Sequence, residues 1–222
     1  MQGEILYFDR PGRRNTGAVA AAVAHRAAEL KIEQVVVASN TGATALAVHK
    51  ALRKVPIEVV AVAEHAGFHG GDKITMTAAQ RQELERLGIK VFVGAHALSG
   101  VARSITNRFG GVSHVEIIAH TLRQFGGEGI KVAVEVAVMA ADAGLIPTDR
   151  EVIAVGGTAA GADAAIVVRS AHMNNFFDLE IREIIAKPRQ RKPERPARLA
   201  SATRAPAGSN PSTTTSSRTR LG

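Results

Sequence analysis

No cysteine occurs anywhere in the 222 residues. Disulfides, thiolate metal sites and cysteine nucleophiles are therefore excluded, and a reducing compartment suits the chain. Tryptophan is also absent, and aromatic residues make up only 4%. Hydrophobic residues reach 45%, enough for one sizeable core, so that core must be built from Ala, Val, Ile and Leu. Long apolar runs are missing too. None approaches the roughly 18 uncharged residues needed to cross a bilayer. The opening MQGEILYFDRPGRRNTG has no apolar stretch of the signal-peptide kind. These features predict a cytoplasmic protein with no membrane partner.

Acidic charge is scarce at one end. The net charge is +8, which ordinarily points to nucleic acid. Beyond Ala186, however, nine basic residues face only Glu194, and residues 1–186 are net neutral. That end reads KPRQRKPERP and then SATRAPAGSNPSTTTSSRTRLG. Large apolar residues nearly vanish there, so little burial is on offer to offset the ordering entropy. The composition predicts one domain over residues 1–186 and a disordered basic tail over 187–222. Nucleic acid is expected to meet the chain only non-specifically, through that tail.

Within residues 1–186, short apolar runs alternate with helical patterns. Asn15 and Thr16 are expected to cap a helix over 17–30, with Val19, Val23, Ala27 and Leu30 at helical spacing. Further helices are expected over 42–54, 77–87, 112–125 and 130–143. Strands are expected at Val35–Ser39, Val59–Ala63, Lys90–Val93, Val152–Val155 and Ala165–Val168. The alternation implies a three-layer α/β fold with a mainly parallel five-stranded sheet, order 3-2-1-4-5. The last strand must be antiparallel, because the loop before it is too short for a parallel crossover. Phe176, Phe177, Leu179, Ile181, Ile184 and Ile185 form an apolar closing segment. It either folds back on its own sheet or meets a second copy, and the expectation is a homo-oligomer with an even number of subunits.

Ligands of such sheets bind outside the carboxyl ends of the strands. Two loops there carry chemistry. In VVVASNTGATAL, a buried strand runs into Ser39, Asn40, Thr41, Gly42, Ala43 and Thr44, where a helix opens. Three hydroxyls, a glycine and the free amides of a helix start suit a phosphate. No Lys follows, so the loop is not a Walker A loop. An ordinary capped strand-to-helix turn has the same composition. In VIAVGGTAAGADAAIVV, Gly156, Gly157 and Gly161 permit tight backbone geometry, Thr158 supplies a hydroxyl, and Asp163 accepts from a ligand hydroxyl or caps a turn. Without a ligand this is a glycine-rich hairpin loop.

Other candidates are individually weaker. Glu64, His65, His69 and His96 follow strands, as acid–base groups or as plain loop residues. Their spacing is not that of a metalloprotease, and no metal is expected. Lys73 offers a cation nearby. Arg123, beside Gly126, Gly127 and Lys131, either clamps a phosphate or complements a helix C-terminus. Met139 lies on an apolar stripe with Val132, Val136 and Ala143 and belongs to the core.

The segment VVVASNTGATALAVHKALRKVPIEVVAV resembles the pyruvate kinase C-terminal domain, where a strand meets a Thr/Ser-Gly phosphate loop, then a helix, then a Pro-Ile strand. More specifically, the chain is similar to freestanding pyruvate kinase C-terminal-like alpha/beta proteins. YFDRPGRRNT, ASNTGATA, EHAGF, TLRQFGGEGIKVAVEVAVMAADAGLIP, GGTAAGADAA and FFDLEIREIIAKPR carry that match over residues 5–188. The resemblance implies a phosphorylated ligand held by Ser39–Thr44 and completed by Gly156–Asp163, with flavin mononucleotide, FMN, as the expected cofactor. The catalytic barrel of pyruvate kinase has no counterpart in this sequence, so no pyruvate kinase activity is expected and no catalytic residue is assigned. A non-catalytic module that senses an effector, and a nucleic-acid-associated protein using its tail, are the competing readings.

Overall fold

The computed structural model describes residues 3–53 and 55–190. The elements run β1 (Leu6–Phe8), α1 (Thr16–Leu30), β2 (Gln34–Ala38), α2 (Ala43–Leu52), β3 (Glu58–Glu64), α3 (Ala78–Arg86) and β4 (Lys90–Gly94). They continue with α4 (Gly100–Phe109), α5 (His114–Gly126), α6 (Glu128–Asp142), β5 (Glu151–Gly156), β6 (Ala164–Arg169) and β7 (Glu180–Pro188). Single 3-10 turns occupy Arg13–Asn15 and Met173–Asp178.

The sheet has seven strands in the order β1-β7-β6-β5-β2-β3-β4. This corrects the expected five. The order 3-2-1-4-5 survives inside it as β4-β3-β2-β5-β6, and β7 and β1 extend the far edge. Only β6 runs against the others, because it is antiparallel to both β5 and β7. The apolar closing segment supplies β7 through Ile181, Ile184 and Ile185, whereas Phe176 and Phe177 lie in the 3-10 turn before that strand. It folds back into its own sheet, with Ile184 facing Ile166 and Ile181 facing Val168. Phe177 of this segment nevertheless stays 86% exposed. Strand β7 runs through Pro188, where Lys187 pairs with Tyr7 and Pro188 with Phe8. The expected boundary at Ala186 thus falls inside a strand. The rest of the expected tail, from residue 191, lies outside the described residues.

Period-2 burial on strands and period-3.6 burial on helices build a core on each face. One layer packs α1, α2 and α3 on the sheet through Val19, Val23, Val48, Leu52 and Leu84. The other packs α5 and α6 through Ala119, Ile130, Val134, Ala137 and Met139. Helix α3 opens with Thr77 and Gln80 capping each other's backbone N–H groups. Ser113 and Glu116 do the same for α5. Asn15 and Thr16, expected to cap α1, do other work. Asn15 Nδ2 donates to the Arg10 carbonyl at 2.9 Å, and Thr16 Oγ1 donates to that of Arg13 at 2.7 Å. Helix α4 was not expected. None of its residues is buried, and Val101, Ile105 and Phe109 stand exposed along one side. No described helix is long and apolar enough to cross a membrane.

Candidate functional site

Six parallel strands end at one edge of the sheet, and α1, α2 and α6 begin there. Strands β2 and β5 are direct parallel neighbours, with Val37 opposite Val155. The two loops singled out in the sequence, 39–44 and 156–163, therefore emerge side by side.

The first loop turns into α2 at Gly42, whose φ of 86° lies in the left-handed region. A Cβ there would also stand 3.3 Å from Leu84 Cδ1, so the backbone favours glycine and a larger residue would also press on that side chain. Two of the three expected hydroxyl residues face inward. Ser39 and Thr44 are 4% and 8% exposed, respectively, and Ser39 Oγ accepts from Ala45 N at 3.2 Å. Asn40, Thr41 and Ala43 are exposed. The result is the first turn of a helix with one amide capped from inside and its outer side open to solvent.

Asn40 ties this loop to the end of β3. Its Nδ2 donates to Glu64 Oε2 at 2.7 Å, and its Oδ1 accepts from Glu64 N at 3.1 Å. Glu64 is only 2% exposed. Its other oxygen accepts from Thr75 Oγ1 and lies 3.0 Å from His69 Nε2. Above it the rings of His65, Phe68 and His96 meet edge to face, with centroids 4.7 Å apart for Phe68 and His96. Burial holds the His96 imidazole below its usual pKa. Glu135 opposes that shift, while Lys131 and His65 reinforce it.

The second loop is closed by Asp163, which is fully buried. Its Oδ2 accepts from Gly12 N at 2.7 Å and from Thr158 N at 3.1 Å. Asp163 is thus a cap that pins the β1–α1 turn to the hairpin. Burial pushes its carboxyl above the ordinary range, against the hydrogen bonds from Thr158 and Gly12, and Oδ1 has no partner among the described residues. The glycines serve packing. A Cβ on Gly156 would sit 2.1 Å from the Gly129 carbonyl oxygen, and one on Gly161 2.4 Å from Thr16 Oγ1. Gly157 lies against the Gly161 carbonyl in the same way.

Arg123 ends α5 and grips Glu128 at the start of α6, with Nη2 3.2 Å from Oε1 and Nε 2.5 Å from Oε2. Its charge is balanced at the rim of the edge.

A groove of about 420 Å³ lies elsewhere, between β1, β7 and α1. Arg26 crosses it and is committed to Glu183 by two bonds of 2.6 and 2.7 Å. No helix starts in it, so volume alone does not make it the better site.

A model of the family described as Pyruvate kinase, alpha/beta domain, matches residues 17–168, more than half of the chain. The chain belongs to that family. In this pyruvate kinase alpha/beta domain the match spans both loops, from α1 to the end of β6. The described residues contain no cluster of three or more His, Cys, Asp or Glu able to hold a metal.

One feature of the domain escaped the sequence reading. Lys131 and Glu135, one turn apart on α6, are 4% and 3% exposed and form an ion pair of 2.6 Å. Glu135 Oε1 also accepts from Leu98 N at 2.8 Å, in the loop after β4. The legible signal was a Lys–Glu pair at i,i+4 interrupting an otherwise apolar helix.

Proposed function

We propose that this domain binds a phosphorylated small molecule at the carboxyl edge of its parallel strands, with the phosphate on the first turn of α2. The observation that carries the reading is the outer side of that turn. Thr41 and Ala43 are exposed, Gly42 brings the backbone round in a left-handed turn, and residues 39–44 contain no acidic side chain. Unpaired amides at the positive end of a helix dipole favour a phosphate ester. The Thr41 hydroxyl is the side-chain donor available to it. Thr158, on the neighbouring hairpin loop, borders the same edge. Asp163 and the glycines around it hold that loop in place and are not ligand contacts in this reading.

FMN is the ligand we place first. Its phosphate fits the α2 turn, and its ring system needs a largely apolar, aromatic-lined neighbour, which Phe68, His65 and His96 offer. When bound, it would supply redox chemistry.

The test is equilibrium titration of the full chain with FMN, ribose 5-phosphate and inorganic phosphate. Saturable binding of the two esters, competed by inorganic phosphate, is expected. No binding of any of them below millimolar concentration would remove the reading. Flavin absorbance in freshly purified protein would identify a resident cofactor, as opposed to a transient effector.

A further inference from the structure

Lys131 is the most buried cation among the core residues of α6, and it has one described partner. An ammonium group has three donors, and Glu135 Oε2 takes one of them at 2.6 Å. Burying such a group is expensive unless every donor finds an acceptor. Glu135 accepts on both oxygens, from Lys131 on one and from Leu98 N on the other. A side chain on a helix leans toward the N-terminus, and α6 begins at the carboxyl edge of the sheet. Lys131 therefore lies nearer that edge than Glu135 does. His96 stands two residues before Leu98, whose amide donates to Glu135 Oε1 at 2.8 Å.

Resting on the phosphate-binding reading above, we propose that Lys131, held by Glu135 and flanked by His96, is a second recognition point that donates to a carbonyl oxygen on the non-phosphate end of the ligand. Charge decides the class of acceptor. The Lys131–Glu135 ion pair balances its own charge, and burial holds the His96 imidazole below its usual pKa. A further full negative charge would gain little there and would lose its hydration, whereas a neutral carbonyl oxygen satisfies a spare donor at low desolvation cost. The rings of Phe68 and His65 beside His96 add aromatic surface in the loops after β3 and β4 at the same edge, which suits a flat, carbonyl-bearing body such as a pyrimidine or flavin ring.

The experiment compares FMN and uridine 5′-monophosphate, which carry ring carbonyls, with ribose 5-phosphate, which lacks the ring. Riboflavin, which lacks the phosphate, is the fourth probe. Lys131→Met alone would strand the Glu135 charge and risk the fold, so a Lys131→Met/Glu135→Leu double variant removes both charges. His96→Asn is the second variant, and thermal melts verify that each is folded. In the wild-type chain at least one ring nucleotide should bind about tenfold to a hundredfold more tightly than ribose 5-phosphate, the range of one hydrogen bond to a charged group. The double variant should erase that gain and leave ribose 5-phosphate binding unchanged. His96→Asn should reduce the gain in part.

Equal affinity for all three phosphate esters, or an equal loss for all three in the double variant, would overturn the proposal while leaving the phosphate site standing. The opposite pattern separates the other failure. Riboflavin binding as tightly as FMN, with inorganic phosphate unable to compete, would reject the phosphate site and retain the Lys131 recognition point.

Discussion

Asn40 and Glu64 clasp each other through two hydrogen bonds, of 2.7 and 3.1 Å, across the ends of β2 and β3. The clasp holds the α2 loop against a carboxylate that is almost wholly buried. Asn40→Ala should leave Glu64 Oε2 and the Glu64 amide each one partner short. We expect a loss of about 1–3 kcal/mol in stability, read by urea unfolding. Phosphate-ester affinity should fall as well, although Asn40 need not touch the ligand. Unchanged affinity in a folded variant would show that the loop is held by other means.

Ala43 is exposed at the first position of α2. An acidic residue there complements the helix dipole and should stabilise the fold by about 0.3–1 kcal/mol. It should also repel a phosphate at the same turn. Ala43→Asp is therefore expected to hold or raise the melting temperature while abolishing binding of ribose 5-phosphate. Retained binding would move the phosphate away from this helix.

Asp163 yields a pH dependence whose sign follows from burial. Its folded pKa lies above the ordinary value of 3.8, so the native state binds more protons than the unfolded one between those two values. The protonated carboxyl therefore contributes stability that is fully present below 3.8 and is lost as pH rises through the folded pKa. Asp163→Asn removes this titration. The wild-type chain should lose stability relative to the variant as pH rises from about 4 toward neutrality. Parallel pH profiles for the two would contradict the assignment.

Gly156 meets backbone, not the yielding end of a side chain. An added Cβ would lie 2.1 Å from the Gly129 oxygen and 2.7 Å from the Ala133 nitrogen. Gly156→Ala should cost about 3 kcal/mol or more, because helix α6 must move off the sheet. Gly17→Ala is the control. It meets nothing within 4 Å and should be neutral or slightly stabilising. Equal effects of the two substitutions on chemical denaturation would rule out the close-packing account.

Self-association is expected through helix α4. The apolar side of α4 presents Val101 at 76%, Ile105 at 51% and Phe109 at 80% exposure, an arrangement more often covered than left to water. We predict a closed homodimer at micromolar concentration, dissociated by Phe109→Glu. Sedimentation showing a single species near the 23.3 kDa chain mass for the unaltered protein would reject it.

Much of the architecture was legible because burial repeats at a period that each element imposes on its own sequence. The run VVVAS and the spacing of Val19, Val23 and Ala27 announce a strand and a helix without reference to anything distant. Chain length between elements then limits the order of the central strands, and the placement of both loops at one edge follows. Strand β7 was harder, since its polar outward residues Glu180, Arg182 and Glu183 interrupt the apolar pattern. Strand β1 is only three residues long, too short for any period to show.

By itself, the sequence determined an aliphatic two-sided core, a parallel sheet, and a helix start free of acidic groups beside a glycine-rich hairpin. Only the tertiary structure decided what those loop residues do. Gly12 and Asp163 are bonded across 151 positions, Asn40 and Glu64 across 24, and Gly156 is a glycine because a helix passes within contact of it. Lys131 and Glu135 look like a solvated i,i+4 pair until the sheet buries them. Periodicity reports how one element is buried, whereas the partner of a polar atom depends on which distant backbone the fold brings alongside, and local composition carries no record of that.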